Sequence, residues 1–465
     1  MPHSADRRMN PETATTFRDP AGHVTFEESS VRRHVRPAYA EFTRELLASP
    51  MLAKGVRDGK VVPTTIVSEE PELLLEHPRL CFISYVWEWC PAQLRAAAEL
   101  TLDLAADAVA NGYFLKDATP SNVIFDGARP VFVDVLSFEK REPTDALWLA
   151  QGQFVRTFLL PLLAQQSLGW PLAATQLRRD GYEPSQLHAA LSKWQRMNPK
   201  HFGPVTLPTW FERNASGGGS GKAPQLRKEP AVAQNILLQG MAKLRKQVGQ
   251  AAPPLPRSHW SEYTATATHY SAEDHAKKRA FVEQAIAETQ PKTVLDIGAN
   301  TGTYSLLAAK SGAKVLALDT DPAAVERMWH AADAGKQDVL PLVADIARPT
   351  PSLGWANAET FSLLDRLEGK FDLVLMLAVI HHLLLMDQVP LDNIAALVAR
   401  ITRRYAVVEW VPQDDPMFQF LLRGRDALYA HLQLDNFLAA LENAFQIRSR
   451  CELSNGRTLV IFEKR

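Results

Sequence analysis

The sequence predicts an α/β protein. Its 465 residues exceed the length of one ordinary domain, so we expect two or three domains. In the C-terminal half, apolar β-rich segments alternate with segments of helical periodicity, the pattern of a parallel sheet covered on both faces. The last two strand-like segments flank Asn455 and Gly456, a pair that favours a tight type I′ hairpin turn. We therefore expect residues 256–465 to form a parallel sheet that closes with an antiparallel hairpin.

The expected strands and helices follow one another in a regular order. The strands are KTVLDIG, KVLALD, DVLPLVADI, FDLVLMLAVI and RYAVVEWV, and the helices TYSLLAAKSG and PAAVERMWHAADAG separate the first three. The second of these helices has Pro at its start and Gly after its end, as helix termini prefer. Further helices are expected near 390–401 and 434–444, and the hairpin strands are FQIRSRCEL and TLVIFEK.

Composition divides the chain into four parts. The polar residues 1–20 are expected to form a flexible arm, and residues 21–205 an α+β domain. Residues 206–255 contain the run NASGGGSGKAP, a helical stretch and the run AAPPLP, which predict a linker and a connecting helix. The α/β domain then occupies residues 256–465.

Net charge, apolar runs and cysteine spacing argue against several classes of function. Lys and Arg number 51 against 52 acidic residues, so no global positive charge attracts nucleic acid, and a nucleic-acid partner is not expected. The longest apolar run is too short to span a bilayer, and the N-terminus lacks an apolar leader. The three cysteines show no metal-ligand spacing. We expect a cytoplasmic protein with reduced thiols and no metal site.

Acidic residues and glycines follow the first three strands of the α/β domain. The first strand ends at Asp296, and Gly298, Asn300 and Gly302 lead from it into a helix. In an open α/β sheet the ligand lies beyond the carboxyl ends of the strands, where glycines allow close approach of the backbone. The second strand ends at Asp319, a carboxylate suited to a ribose diol, and the third ends near Asp345, which can accept from an adenine amino group.

These motifs resemble class I S-adenosylmethionine-dependent methyltransferases, which have a Rossmann-like sheet. DIGANTG, LALDTDP, LVADI and FDLVLMLAVIHHL occur in the family's order and spacing, and the D-x-G-x-x-x-G loop differs from the nicotinamide-binding G-x-G-x-x-G. The resemblance implies that Asp296, Gly298 and Gly302 line the methionine end of the cofactor. It further implies that Asp319 binds the ribose and Asp345 the adenine edge.

A methyltransferase must hold its nucleophile in line with the methyl group and remove a proton where the nucleophile carries one. His381 and His382 follow the fourth strand, and histidine titrates near neutral pH. Glu409 ends the fifth strand and is the third candidate for the base. Structural roles remain open for all three: the histidines as a wall of the cofactor pocket, and Glu409 as a solvated loop carboxylate.

The N-terminal domain carries a second motif, LKDATPSNVIFDG. Asp117 and Asn122 have the D-x-x-x-x-N spacing of a kinase catalytic loop, and Asp134 follows twelve residues after Asn122. The segment from about 80 to 165 resembles the kinase fold, which implies a catalytic Asp117 and magnesium ligands at Asn122 and Asp134. However, Leu115 and Lys116 replace the usual His-Arg, and neither a glycine-rich loop nor a strand lysine precedes them. We expect a degenerate kinase-like domain.

The whole chain is similar to a bacterial family that combines these parts, through the segments FISYVWEW, LKDATPSNVIF, FVDVLSFE, GWAN, AVIHHL and VVEWVPQDDP. Some members are described as similar to the nodulation protein NoeA, which implies an acceptor such as a small molecule, glycan or glycolipid. The leading hypothesis is an O- or N-methyltransferase. The alternatives are a bifunctional kinase–methyltransferase and a binding or scaffold protein that senses the cofactor without turnover. The oligomeric state is not predicted.

Overall fold

The computed structural model describes residue 16 and residues 18–214, 226–251 and 271–465. These residues form two compact units: one holds the described residues up to 125 and from 130 to 251, and the other holds 126–129 and 271–465. The expected arm before residue 16, the Gly/Ser-rich run at 215–225 and the start of the α/β domain before 271 lie outside the described residues.

The first unit begins with a four-stranded antiparallel sheet in the order β1-β2-β4-β3. Strand β2 lies in its interior and pairs with both β1 and β4, so that Arg33 on β2 lies opposite Leu75 on β4. Two short antiparallel ladders follow, β5 with β8 and β6 with β7. The strands are β1 (Gly22–Phe26), β2 (Ser30–Val35), β3 (Thr65–Ser68), β4 (Leu73–Pro78), β5 (Tyr113–Leu115), β6 (Val123–Asp126), β7 (Arg129–Phe132) and β8 (Phe138–Lys140).

Helices make up most of the rest of the first unit. The helix Pro91–Ala110 is buried along much of its length, and the helix Pro230–Ala251, which we expected to be a connecting element, packs against it within this unit. Several helices start with proline in the first turn, where its missing N–H is not needed. The remaining α-helices are Pro37–Leu47, Pro50–Arg57, Gln151–Phe154, Leu160–Leu168, Pro184–Ala190, Lys193–Met197, Pro199–His201 and Leu207–Asn214.

The second unit is a seven-stranded sheet in the order β11-β10-β9-β12-β13-β15-β14. Strands β9 to β13 are parallel, and β15 runs antiparallel between β13 and β14, so the predicted parallel sheet with a C-terminal hairpin is confirmed. The strands are β9 (Thr293–Ile297), β10 (Lys314–Asp319), β11 (Val339–Val343), β12 (Phe371–Met376), β13 (Thr402–Trp410), β14 (Phe445–Glu452) and β15 (Thr458–Lys464).

The strand order fixes the place of the site. The chain moves outward from β9 through β10 to β11 and then returns to the other side of β9 with β12, so the order reverses between β9 and β12. Ligands of open α/β sheets bind beyond the carboxyl ends of the strands at this switch point. The helices of this unit are Ala272–Thr289, Thr303–Lys310, Pro322–Gly335, Leu363–Leu367, Ile380–Leu385, Leu391–Ile401, Pro416–Leu422, Asp426–Tyr429 and Leu434–Glu442.

The C-terminal hairpin differs from the prediction at its turn. A type I′ turn needs positive φ at both central residues, but of the predicted pair Gly456 alone has one, 78°. The backbone N–H of Leu453 donates to the carbonyl of Arg457 at 2.8 Å, so the loop is longer than two residues. Asn455 instead accepts the backbone N–H of Arg457 on its side chain at 3.2 Å, and this contact aims Arg457 back into the unit.

Candidate functional site

The loop after β9 has a backbone that favours glycine at two positions. Gly298 has φ 70° and Gly302 has φ 86°, and Asn300 between them has φ 51°. A Cβ atom on Gly298 would lie 2.4 Å from Cγ2 of Val379, and one on Gly302 would lie 2.6 Å from Cγ of Met328. The two glycines therefore let the loop turn sharply against its neighbours before the helix Thr303–Lys310 begins.

Asp319 at the end of β10 is held rigidly beside this loop. One carboxylate oxygen accepts the backbone N–H of Asn300 at 2.7 Å and the other accepts that of Asp321 at 2.9 Å. Burial raises the pKa of Asp319, although these backbone donors oppose the rise. A carboxylate fixed in this way is an acceptor of the type that a ribose hydroxyl requires.

Asp296 at the end of β9 is a second carboxylate of the site, and unlike the half-buried Asp319 it is buried. Its side chain is fully enclosed and accepts the hydroxyl of Ser305 at 2.6 Å. Burial raises its pKa to about 7 and the charge of Asp319 adds to this rise, whereas the Ser305 hydrogen bond and the more distant charge of Lys278 lower it in part. Such a carboxyl group gains most from a cation brought in by a ligand, because the cation stabilises the ionised form.

The two carboxylates fit S-adenosylmethionine. Among residues 271–465, no Lys, Arg or His side chain lies within ion-pairing distance of Asp296 or Asp319. Their charges are therefore left for a ligand, and the cofactor offers a sulfonium, an ammonium and a ribose diol. The donors and acceptors of the loop and of both strand ends thus match the cofactor in charge and in hydrogen-bonding type.

Asp345 lies in a different setting from the other two aspartates. It follows β11, accepts the backbone N–H of Ala347 at 2.8 Å and pairs with Arg348 at 2.8 Å. The same guanidinium also contacts Asp387, which follows β12. The carboxylate thus has partners already, and its predicted contact with the adenine edge stays a prediction.

His381 and His382 lie side by side at the start of the helix Ile380–Leu385, with ring centroids 4.2 Å apart. His381 is 2% exposed, and its Nδ1 is buried without a hydrogen-bond partner among the described residues. Burial, His382, Arg457 and Lys278 all lower the pKa of His381 well below the usual value. Burial also lowers the pKa of His382, whose Nδ1 lies 3.3 Å from Sδ of Met386.

Glu409 is part of a buried ion-pair network. It is fully enclosed, one oxygen lies 2.6 Å from Nζ of Lys278, and the other lies 3.6 Å from Nη1 of Arg457. Arg457 also donates to Asp415 at 2.8 Å, and Asp415 caps the helix Pro416–Leu422. The solvated loop carboxylate considered above for Glu409 is therefore not what the structure shows.

Sequence reasoning missed the residues that complete this network. Lys278 comes from the helix Ala272–Thr289 before β9, and Arg457 from the turn of the C-terminal hairpin. The same helix is fixed to that turn by Asp274, which accepts the backbone N–H of Ser454 at 2.8 Å and its hydroxyl at 2.6 Å. The chain separates Lys278 from Glu409 by 131 residues, Asp274 from Ser454 by 180 and Arg457 from Asp415 by 42, so no local pattern indicates these partners.

Comparison with known proteins places the chain in a family. Residues 269–435 match a family described as "Methyltransferase domain". The nodulation protein NoeA of Rhizobium meliloti (strain 1021) is 30% identical over 475 residues, which cover 97% of this chain and 96% of NoeA. The chain belongs to the NoeA family. It is a methyltransferase, and its cofactor is S-adenosylmethionine.

Solved structures resemble part of the NoeA-family chain at lower similarity. The N-methyltransferase NodS from Bradyrhizobium japonicum WM9 is 14% identical, with a TM-score of 0.30, over 42% of this chain and 98% of NodS. Magnesium protoporphyrin IX methyltransferase ChlM from Synechocystis PCC 6803, solved with bound SAH, is 17% identical, with a TM-score of 0.30, over 42% of this chain and 83% of ChlM.

The kinase-like motif of this NoeA-family chain forms one hydrogen-bonded cluster in the first unit. The side-chain amide of Asn122 donates to the backbone carbonyl of Asp117 at 3.2 Å and to the hydroxyl of Ser137 at 3.1 Å. The Ser137 hydroxyl donates in turn to Asp134. Burial raises the pKa of Asp117, and the charges of Asp134 and Asp19 add to this effect. The three motif residues are therefore brought together.

Arg33 on β2 is the part of this cluster that the sequence did not reveal. Its guanidinium donates to one oxygen of Asp134 at 2.7 Å and to the carbonyl of Val133 at 3.1 Å, and it is 8% exposed. Asp134 is the residue for which the kinase resemblance implies a magnesium ion. In this unit a buried arginine supplies the positive charge at that carboxylate.

Proposed function

We propose that the second unit is an O- or N-methyltransferase whose acceptor is a small molecule, a glycan or a glycolipid. The observation that carries the proposal is a pair of carboxylates, the buried Asp296 and the half-buried Asp319, that lack a cationic partner in residues 271–465 and lie in the same unit as the buried His381. When bound, the cofactor supplies an electrophilic methyl group on a sulfonium sulfur. The residues of the chain orient it, exclude water and remove the acceptor's proton.

The proposed cofactor contacts are of two kinds: aspartates that accept hydrogen bonds or face positive charge, and a loop whose backbone packs against the cofactor. Asp319 accepts the ribose hydroxyls, and Asp296 lies at the methionine end. Gly298, Asn300 and Gly302 form the turn against which that end packs. In addition, Asp345 contacts the adenine edge while it keeps its pairing with Arg348.

We assign the general base to His381. A base must be unprotonated when the acceptor arrives, and the lowered pKa of His381 keeps its imidazole neutral at ordinary pH. Its buried Nδ1 has no partner among the described residues, so a ring nitrogen is left for the acceptor or for an ordered water. Glu409 is the weaker candidate, because Lys278 at 2.6 Å stabilises its ionised form and already occupies one oxygen.

The test compares His381→Gln with His382→Gln in the full-length chain. With a methyl acceptor from a small-molecule and glycoside panel, His381→Gln is expected to lower kcat by about 10²–10⁴-fold, the range of a positioned base. Cofactor affinity, measured by calorimetry, should stay nearly constant. Because the pKa of His381 is lowered, the wild-type rate should show no histidine limb near pH 6.5. Equal losses of rate and cofactor affinity would instead make His381 a wall of the cofactor pocket.

The bifunctional kinase–methyltransferase is the second candidate, since the first unit does assemble Asp117, Asn122 and Asp134. We propose that this unit is degenerate and transfers no phosphate, because Arg33 occupies the carboxylate that a magnesium ion would need. ATP hydrolysis with magnesium should stay at background. Hydrolysis that disappears in both Asp117→Asn and Asp134→Asn would establish the kinase.

The third candidate, a cofactor-sensing scaffold, predicts cofactor binding without methyl transfer to any acceptor. In the described residues no helix has the length and apolar character needed to cross a membrane. A cytoplasmic location remains our proposal, as does the absence of a nucleic-acid partner. Tritium transfer from the labelled cofactor to any compound of an extract separates the enzyme from the scaffold.

A further inference from the structure

The exposed apolar side chains of the second unit share one feature. Within residues 271–465, four large apolar side chains are exposed: Trp355 by 70%, Met386 by 58%, Phe420 by 67% and Leu428 by 66%. Each lies in a connection that leaves the carboxyl end of β11, β12 or β13, before the helix that returns to the other edge of the sheet. The helices that cover the two faces of the sheet carry none of them.

Contacts join the segments of three of these residues to the helix that carries the proposed base. Met386 directly follows the helix Ile380–Leu385, and its sulfur lies 3.3 Å from His382. Arg425 donates to the carbonyl of Leu385 at 2.8 Å and to that of Leu421 at 3.0 Å, so it joins the segment of Phe420 and Leu428 to the segment of Met386. We call Trp355, Met386, Phe420 and Leu428 the apolar rim.

The rim segments are held in place by polar contacts of their own. The side-chain amide of Gln413 donates to the carbonyls of Tyr429 at 2.6 Å and Leu432 at 2.8 Å. Arg348 joins Asp345 after β11 to Asp387 after β12. The backbone is thus fixed while the apolar side chains remain in water. Exposed apolar surface that adjoins a site is a mark of ligand contact.

We propose that the methyl acceptor carries an alkyl chain or another apolar group, which packs on the apolar rim while its polar end reaches His381. The inference deepens the proposed function and rests on it, because it selects the glycolipid-like class from the three acceptor classes. The charge of the segment that holds Phe420 and Leu428 argues against a membrane surface as the occupant of the apolar rim. Segment 411–433 holds three Asp and two Arg, so it lacks the basic excess that anionic membranes attract.

The probes are methyl, butyl, hexyl and octyl β-D-glucoside below their micelle concentrations, added to the full-length protein saturated with the demethylated cofactor. Affinity by calorimetry should rise with chain length by up to about fourfold per methylene that the rim buries. Phe420→Ser and Trp355→Ser should flatten this dependence. Trp194→Ser is the matched control, since Trp194 is an exposed tryptophan of the first unit and should leave the dependence intact.

Four results would overturn the proposal. Affinity that is independent of chain length removes the apolar contact, and so does a chain-length dependence that both rim variants retain. A wild-type dimer that Phe420→Ser converts to a monomer would assign the rim to a second copy, and vesicle binding lost in the rim variants would assign it to a membrane. Cofactor binding is measured separately. A wild-type protein that binds no cofactor would refute the proposed function, whereas a cofactor-bound protein whose glucoside affinity is independent of chain length would refute this inference alone.

Discussion

Asp296 provides the sharpest test of the site, through the pH dependence of cofactor binding. Without cofactor its pKa is raised from 3.8 to about 7 by burial, and no cationic side chain of residues 271–465 pairs with it. A bound cation lowers this pKa, so binding must release a proton wherever the free protein still holds one. Affinity for S-adenosylmethionine should therefore fall as the pH drops below about 7.

The magnitude follows from the pKa. Below pH 7 the fraction of ionised Asp296 falls about tenfold per pH unit, which weakens binding by about 1.4 kcal/mol per unit. At pH 8 the group is mostly ionised and the dependence should level off. Calorimetry between pH 5.5 and 8.5, in buffers of different ionisation enthalpy, measures the affinity and counts the released protons. About 0.9 proton is expected near pH 6 and about 0.1 near pH 8.

The same raised pKa predicts an opposite effect on stability. The unfolded chain releases this proton near pH 3.8, whereas the folded, cofactor-free unit keeps it up to about pH 7. The folded state therefore loses stability as pH rises between these values. The difference of about three pH units corresponds to a loss of about 4 kcal/mol, complete above pH 7. Asp296→Asn should thus raise the melting temperature at pH 8 while it weakens cofactor binding.

Ser305→Ala serves as the control for this reasoning. The Ser305 hydroxyl donates to Asp296 at 2.6 Å and lowers its pKa, so its removal should move the affinity limb to higher pH without abolishing it. Any slope that survives in Asp296→Asn belongs to Asp319, whose pKa burial also raises. The reasoning is refuted if the affinity does not change between pH 6 and 8, or if Asp296→Asn keeps the full slope.

Two further predictions concern the architecture around the site. Lys278→Met leaves Glu409 fully buried without its 2.6 Å partner, so the free energy of unfolding in chemical denaturation should fall by about 3–5 kcal/mol. The double variant Lys278→Met/Glu409→Gln should recover part of this loss. A double variant no more stable than Lys278→Met would contradict the pairing. Gly302→Ala places a Cβ 2.6 Å from Met328 at φ 86° and should destabilise the unit by about 1–3 kcal/mol, a loss that unchanged melting would disprove.

The sheet of the second unit was predictable because its signals are local. Each strand from β9 to β13 contains an apolar run, and Asp321 caps the helix Pro322–Gly335 that follows β10. Periodicity and capping need only neighbouring residues to be read. The turn at Asn455 and Gly456 was predicted wrongly, because Asn455 bonds to Arg457 instead of adopting the left-handed conformation.

The charged contacts of both sites were not predictable, because they join distant parts of the chain. Arg33 meets Asp134 across 101 residues, and Lys278 meets Glu409 across 131. A single sequence does not show which basic residue lies opposite which acid. The kinase-like motif therefore suggested a metal site, whereas the fold supplies an arginine at Asp134.

The buried carboxylates of the second unit separate into two kinds by their partners. Glu409 and Asp415 are enclosed with Lys278 and Arg457. Burial by itself would raise the pKa of Asp415, but the hydrogen bond and charge of Arg457 together with two backbone donors lower it. Asp296 is equally enclosed, yet burial raises its pKa to about 7. A basic partner compensates the charge of a buried acid, so that removing the partner is costly, whereas an acid without a partner destabilises the fold until a ligand brings the opposite charge. This contrast supports our proposal that Glu409 belongs to the architecture and that Asp296 contacts the cofactor.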